Sequence, residues 1–366
     1  MLAVRVDAGR ASYREPVPRG YVANPGYVAL HRLLSLPEPA IRRMAGAPVR
    51  IDGRTLDPAV QLLLKLAERS VRFTGDRTVP SRRRALLRRS SALAMPLAAA
   101  VQATDRTIPG PAGPIPVRVY RAASTAAEPP AIVYFHGGGW VVGDLDTHDG
   151  SCRMIARETN ALVMAVHYRR APEHPFPAPA DDALAAFRWA VAHPHELTIR
   201  PGAVAVMGDS AGGNLAAVVC QRARDEGGPL PIAQGLVYPA TDLRLVTASL
   251  DDFAHGFYLT RADVEWFVDK YVPDRSMRAD PRVSPLLADD LAGLPPACVW
   301  TAGFDPLRDE GQAYAERLAA VGVPTRYRCL DDQVHGFFGM GVLPGGLDRV
   351  ASVCREMGAL LAEVVG

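Results

Sequence analysis

An apolar run, Ala203-Val204-Ala205-Val206-Met207, passes directly into Gly208-Asp209-Ser210-Ala211-Gly212 and then into the helix-like stretch Asn214-Leu215-Ala216-Ala217-Val218-Val219. A β-branched strand that becomes a helix within so few residues needs a sharply turned, strained backbone. Glycines serve that turn because bulkier neighbours would collide with the strand and the helix. In this setting G-x-S-x-G reads as a nucleophile elbow, whereas the bare motif would more often be an ordinary Gly-Ser turn. Ser210 Oγ is expected to stand at a helix N-terminus, where free N–H groups and the positive end of the helix dipole favour a developing oxyanion.

The same strand-then-helix pattern recurs along most of the chain. From Asp105, strand-like runs near Thr107, Val117, Ile132, Val163, Val204, Leu236, Val299 and Tyr327 alternate with helical segments. That alternation predicts an α/β fold, a mostly parallel eight-stranded sheet flanked by helices on both faces. Residues 1–104 read differently, as an N-terminal extension followed by helices. The first 55 or so are rich in Pro, Gly and Arg, and then Asp57-Pro58 supplies an N-cap and a first-turn proline for a helix carrying Val60, Leu63, Leu64 and Ala67. The run Arg82-Arg83-Arg84 with Arg88-Arg89 is expected to be the solvated face of a further helix rather than a nucleic-acid site. Residues 105–366 form the catalytic domain in this reading. Within it, 251–280 is an aromatic insertion carrying Phe253, Phe257, Tyr258, Trp266, Phe267 and Tyr271.

Ala131-Ile132-Val133-Tyr134-Phe135 runs into His136-Gly137-Gly138-Gly139-Trp140. Three glycines after a buried strand let backbone N–H groups approach a reacting carbonyl unobstructed. Gly137 and Gly138 are assigned as oxyanion donors with the Ala211 N–H, Gly139 being a further donor or a hinge. His136 is expected to order the loop. A phosphate cradle is disfavoured, since neither G-x-G-x-x-G opening a helix nor a Gly-Lys-Ser/Thr ending is present. A serine nucleophile needs a base, and the base needs an acid to hold its tautomer. In chain order, Asp305 follows the strand Pro296–Gly303, and His335 follows the strand Pro324–Leu330. Asp309 and Glu310 compete for the acid role, but they fall in the first turn of a helix, where acids complement the dipole. His255-Gly256-Phe257 repeats the triplet His335-Gly336-Phe337; because His255 precedes Asp305, it is assigned to a cap or pocket wall. Asp209, beside the nucleophile, is expected to tie the elbow to the cap.

Taken together, these motifs resemble the hormone-sensitive-lipase-like branch of the α/β-hydrolase esterases. The resemblance rests on His136 to Trp140, Gly143-Asp144, Tyr168-Arg169, Ala171-Pro172-Glu173-His174-Pro175-Phe176-Pro177, Gly208 to Asn214, Asp305 to Gly311 and His335 to Phe337, and spans residue 55 or so to the C-terminus. It implies an α/β-hydrolase fold with a helical cap made by the N-terminal helices and 251–280, and a Ser210-Asp305-His335 triad. It further implies an oxyanion loop at Gly137 and Gly138, no metal or organic cofactor, and hydrolysis of carboxylic esters with short to medium acyl chains. A homodimer is compatible with the resemblance. Two departures stand out: about fifty residues precede the usual start of the fold, and Arg170 occupies a position that is usually apolar, where it would alter packing or pair with an acid.

Composition narrows the alternatives. The 366 residues carry a formal charge of +2, so no bulk field points to nucleic acid or an acidic partner, and the partner expected is a small-molecule ester. Cys152, Cys220, Cys298, Cys329 and Cys354 are widely spaced and suggest neither a disulfide scaffold nor a metal site. Met1 to Asp7 lacks a signal-peptide pattern, and the apolar stretch Ala92 to Ala103 is broken by Pro96 and too short for a bilayer. A soluble, cytoplasmic protein is expected. Tyr27 to Leu34 could lie on a lipid surface as an amphipathic helix, though packing over the catalytic domain is favoured. The same motifs would also suit an amidase, thioesterase or acyltransferase of this fold, or a binding protein descended from one.

Overall fold

The computed structural model describes residues 25–71, 78–93 and 101–366. The reading of Met1 to Asp7 and most of the stretch from Ala92 to Ala103 lie outside the described residues. Two short strands, β1 (Arg50–Ile51) and β2 (Arg54–Thr55), pair as a small ribbon. The main sheet holds β3 (Val101–Ile108), β4 (Ile115–Ala122), β5 (Ala131–Phe135), β6 (Leu162–Val166), β7 (Val204–Asp209), β8 (Gln234–Val237), β9 (Ala297–Phe304) and β10 (Thr325–Val334). Its order is β10-β9-β8-β7-β5-β6-β4-β3. Among the described residues of this sheet, only the pairs β3–β4 and β4–β6 are antiparallel. All eight expected strands are therefore present, and β3 begins early enough that Val101 to Thr104 pair with β4.

Burial explains why the central strands lack an alternating pattern. Every residue of β5, β6, β7, β8 and β9 is buried, as expected for strands covered on both faces, while the edge strand β3 buries only its two ends. One face carries α5 (Asp149–Thr159) and α12 (Gly346–Val365); the other carries α6 (Ala178–Ala192), α8 (Ala211–Asp225) and α11 (Arg308–Ala320), with the short α7 (Pro194–Leu197) beyond α6.

Above the strand ends lie the segments that sequence alone set apart. α1 (Pro25–Leu34), α2 (Glu38–Ala45) and α3 (Pro58–Val71) build a third apolar cluster with Phe253, Phe304 and Met340. Asp57 Oδ1 caps α3 by accepting the N–H groups of Ala59 at 2.7 Å and Val60 at 3.2 Å. Leu34 is buried and Val28, Leu30 and Leu33 pack into that cluster, so the apolar side of the Tyr27–Leu34 helix faces protein. α4 (Val79–Leu93) meets α10 (Arg261–Tyr271), which follows α9 (Ala248–Asp252) in the aromatic insertion. Asp263 joins the two: its Oδ2 accepts from the Thr260 N–H and hydroxyl at the start of α10, and its Oδ1 accepts from Arg82 at 3.0 Å.

The arginine run is not simply a solvated face. Arg84 and Arg88 are exposed, but the Arg82 guanidinium lies 4.1 Å from the Trp266 ring centroid. Arg83 donates to the carbonyls of Val141 and Ala171 and forks onto Glu173 at 2.8 Å. Apolar stems along the helix let these cations bind the body from a polar-looking sequence. The insertion's aromatics are likewise spent on contacts beyond their own segment. Tyr271 stacks on Trp140 at 4.2 Å, and Phe253 meets Phe304 edge-on at 5.8 Å.

Candidate active site

Ser210 ends β7 and begins α8 with φ 56° and ψ −119°, a conformation that costs a non-glycine residue about 1–3 kcal/mol. The surroundings hold it there. Its N–H donates to the Val237 carbonyl at 2.8 Å, its carbonyl accepts from the Asn214 N–H at 3.0 Å, and the Asn214 amide ties the next turn to Ala240 and Val283. Gly212 is dictated by contact, since a Cβ there would stand 1.9 Å from the Phe135 carbonyl oxygen. The helix start is thus pressed against the end of β5, beside the glycine loop.

Asp305 follows β9 and His335 follows β10, and the structure brings both to Ser210. His335 Nδ1 lies 2.8 Å from Asp305 Oδ2, and His335 Nε2 lies 2.9 Å from Ser210 Oγ. Asp305 is fully buried and its other oxygen accepts the Leu307 N–H at 2.9 Å, which fixes the carboxylate plane. With Nδ1–H directed to that carboxylate, Nε2 is left to accept the serine proton; the tautomer is assigned from this network. The Tyr238 ring, 4.4 Å from the imidazole, walls it on one side. The competing acids are otherwise engaged. Asp309 accepts from the Ser249 N–H and from Arg308, while Glu310 accepts the Thr241 and Asp242 N–H groups. Burial pushes the Glu310 carboxyl well above its ordinary range.

The glycine loop needs a correction of one residue. The Gly137 N–H, expected as an oxyanion donor, instead donates to Asp209 Oδ1 at 2.8 Å. The N–H groups of Gly138, Gly139 and Ala211 donate to no described residue. Gly138, Gly139 and Ala211 also line the cavity above Ser210, and Gly137 does not. The N–H groups left free at the cavity floor are therefore those of Gly138, Gly139 and Ala211.

Asp209 also departs from expectation, because it ties the elbow to the glycine loop rather than to the cap. Besides the Gly137 N–H it accepts the Tyr134 hydroxyl at 2.6 Å, and His148 Nε2 lies 3.4 Å away. Burial alone would raise its pKa, but His148 and these hydrogen bonds outweigh it and hold the carboxyl at about 2. Burial likewise opposes charge on His148, and the Asp209 carboxylate overcomes that and raises it. No motif marks His148; only the fold brings it to Asp209 and to the cavity wall. His136 does order the loop, stacking on Tyr168 at 4.3 Å with its Nδ1 2.9 Å from the Gly137 carbonyl oxygen. Arg170 forms no ion pair among the described residues; it donates to the Gly143 carbonyl where the loop folds back.

The cavity measures about 740 Å³ and is open on one side. Its floor is the site just described, and its opposite wall comes from α3, α4 and α10 with Tyr258 and Leu259. Phe267 of α10 sits directly over Gly139. His255 is exposed and outside the cavity lining, so it forms no part of the pocket wall. Among the described residues no cluster of His, Cys, Asp and Glu could hold a metal ion, and no helix is long and apolar enough to cross a membrane.

A nucleophile hydrogen-bonded to an oriented imidazole, beside free N–H groups under a largely apolar wall, has the geometry for acyl transfer. Comparison with known proteins points the same way. The chain is 48% identical over 340 residues to the carboxylic ester hydrolase LipN of Mycobacterium tuberculosis, covering 90% of this chain and 88% of that protein. It superposes with TM-score 0.80 and 41% identity on an ester hydrolase from the metagenome of Lake Arreo complexed with a bipyridine phosphonate derivative, covering 83% of this chain and 98% of that one. A hyperthermophilic esterase from the archaeon Pyrobaculum calidifontis gives TM-score 0.77 and 36% identity, covering 85% and 99% respectively. A family model described as alpha/beta hydrolase fold matches residues 132–339. On this evidence the chain belongs to the α/β-hydrolase fold family.

Proposed function

We propose that this protein is a serine carboxylic ester hydrolase acting on esters of short to medium acyl chain through an acyl-enzyme. The observation that carries the reading is the unbroken chain Asp305–His335–Ser210, with contacts of 2.8 and 2.9 Å, opening onto a cavity beside three free N–H groups. His335 Nε2 takes the Ser210 proton as Oγ bonds to the ester carbonyl carbon. The carbonyl π electrons move to oxygen, which the Gly138, Gly139 and Ala211 N–H groups receive. Asp305 stabilises the imidazolium, which then gives its proton to the departing alcohol oxygen as the C–O bond breaks. Water, deprotonated by His335, repeats the sequence on the acyl-enzyme and frees the acid and Ser210.

In this proposal α3, α4 and the 251–280 segment act as the cap that shapes the substrate pocket. Val264, Phe267 and Val268, with Leu243 and Leu245 below them, offer the apolar wall for an acyl chain. Each buried methylene contributes about 0.8 kcal/mol, roughly a fourfold gain, so kcat/KM should climb with acyl length until the pocket is full and then drop. Five free cysteines, four of them buried, support a reducing, cytoplasmic setting, which cell fractionation tests. A homodimer follows from resemblance and is tested by sedimentation. Peripheral lipid contact through Tyr27–Leu34 gains little support from the packing of that helix.

The deciding experiment is a panel of nitrophenyl esters of graded chain length, run beside amide and thioester analogues, with an organophosphonate to label the nucleophile. Turnover that peaks at short or medium esters, with the label on Ser210, supports the reading. A label on another serine overturns the site. Faster amide or thioester turnover, or best activity on emulsified long-chain triglyceride, overturns the substrate class, and no turnover at all favours a binding protein.

A further inference from the structure

The cavity wall contains a charge that the ester chemistry does not use. Its four lining acids are already answered: Asp209 by His148 and the Gly137 N–H, Asp263 by Arg82 at 3.0 Å, Asp242 by Arg244 at 2.7 Å, and Glu310 by the N–H groups of Thr241 and Asp242. Arg82 is spent on Asp263. Arg89, also in the lining, forms no ion pair among the described residues; its guanidinium lies 5.0 Å from the Tyr258 ring centroid at the exposed rim. Its guanidinium also meets the Tyr258 hydroxyl, a single neutral oxygen, and five N–H donors exceed what that oxygen can accept, leaving donors for a carboxylate or phosphate.

Its position fixes which part of a substrate would meet it. Tyr258 packs on Gly336, its ring edge 3.1 Å from where a Cβ would stand, and Gly336 directly follows His335. The leaving alcohol must lie against His335 Nε2, since that nitrogen returns the proton to it. In the reading above the acyl chain lies elsewhere, toward the apolar Phe267, Val264 and Val268. The route from the scissile oxygen past His335 and Gly336 therefore ends at Tyr258 and Arg89.

Resting on the ester-hydrolase reading, we propose that Arg89 selects esters whose alcohol portion carries an anionic group, the guanidinium pairing with that group while His335 protonates the departing oxygen. The shared chemistry is an oxyanion, carboxylate or phosphate, attached to the leaving alcohol.

The test uses three butanoate-sized esters with wild-type protein, Arg89→Gln and Arg89→Lys: one whose alcohol ends in a carboxylate, its neutral primary-amide counterpart, and one with the carboxylate on the acyl side and a neutral alcohol. The readout is the ratio of kcat/KM between charged and neutral esters within one preparation, so differences in folding or active fraction cancel. Wild type should favour the alcohol-side carboxylate over the amide by about tenfold or more, mainly through KM, and the ratio should fall to about one in Arg89→Gln and recover in part in Arg89→Lys. A phosphate-ended alcohol tested in parallel reports which oxyanion gives the larger ratio. A wild-type ratio at or below one, a ratio unchanged in Arg89→Gln, or an equal gain for the acyl-side carboxylate would each overturn the proposal. Failure of wild type to hydrolyse even the neutral ester would instead overturn the ester-hydrolase reading beneath it.

Discussion

The floor and the covering wall of one cavity are held by different kinds of force. On the floor, the backbone itself is held at close quarters: Gly212 against the Phe135 carbonyl, Ser210 locked at φ 56° by Val237 and Asn214, and the Gly137 N–H on the buried Asp209 carboxylate. On the wall, long side chains reach across: Arg82 to Asp263, Arg83 to Glu173 and two carbonyls, Arg89 over Tyr258. Backbone contacts of this kind tolerate no added methyl and fix positions to tenths of an ångström, whereas side-chain ties can be exchanged singly. The triad and the glycine loop are thus built where substitution is least tolerated, and the covering wall where it is most tolerated.

The strongest way to break that division is to alter one histidine on each side. His335→Ala should lower kcat on a good-leaving-group ester by about 10⁴ or more, while His255→Ala, exposed and off the cavity, should leave it within about twofold. Steady-state rates on refolding-checked variants decide it, and a reversed ranking would remove the base assignment.

Next in size is Asp209→Ala, which strands the Gly137 N–H and the Tyr134 hydroxyl. Each buried donor left without an acceptor costs about 1–3 kcal/mol, so urea denaturation should show a loss of that order or more, and kcat should fall as the glycine loop loosens. Full activity with unchanged stability would mean that the loop holds its shape without this carboxylate.

A pH series sharpens the same point. Asp209 is lowered from its ordinary 3.8 to about 2, so its contribution is present above 3.8 and is lost as pH falls toward 2. His148 is raised above its ordinary 6.5, so its contribution is present below 6.5 and is lost as pH rises through the raised value. The stability advantage of wild type over His148→Gln should therefore peak between about pH 4 and 6.5 and shrink on both sides. A flat difference across that range would show that the pair carries no charge-dependent stabilisation.

The smallest effect belongs to the wall. Arg82→Ala removes a partly exposed ion pair and its contact with Trp266, together about 1–2 kcal/mol by the usual worth of such contacts, and should raise KM more than it lowers kcat. A kcat loss rivalling that of Asp209→Ala would collapse the distinction between floor and wall.

How much of this was readable in advance follows the same line. The three groups Ser210, Asp305 and His335 were legible because each sits at the end of an apolar strand, and chain order admits few permutations. The eight strands were legible because full burial leaves long apolar runs. Which glycine N–H stays free was not, since that depends on Asp209 arriving from another strand to occupy Gly137. His148 belongs to no motif and becomes relevant only through a contact 61 residues along the chain with Asp209. The arginine run misled for a different reason: Arg82 and Arg89 are seven residues apart and share one helical face, while Arg84 and Arg88 point away, so a reading by composition hid a pattern that periodicity contains.

Asp263 has a consequence for how the cavity opens. One of its oxygens caps the start of α10 and the other holds Arg82 of α4, so the two walls share a single carboxylate though they come from distant parts of the chain. A motion that parts α4 from α10 must break the ion pair and the Arg82–Trp266 contact together. A motion that carries both helices away as one plate breaks neither. It breaks instead the Arg83 contacts with Val141, Ala171 and Glu173 that tie α4 to the body, so the two ways of opening are governed by different arginines of one helix. A cross-link between α4 and α10 should block the first and leave the second, and turnover with and without the link reads which one ligands use.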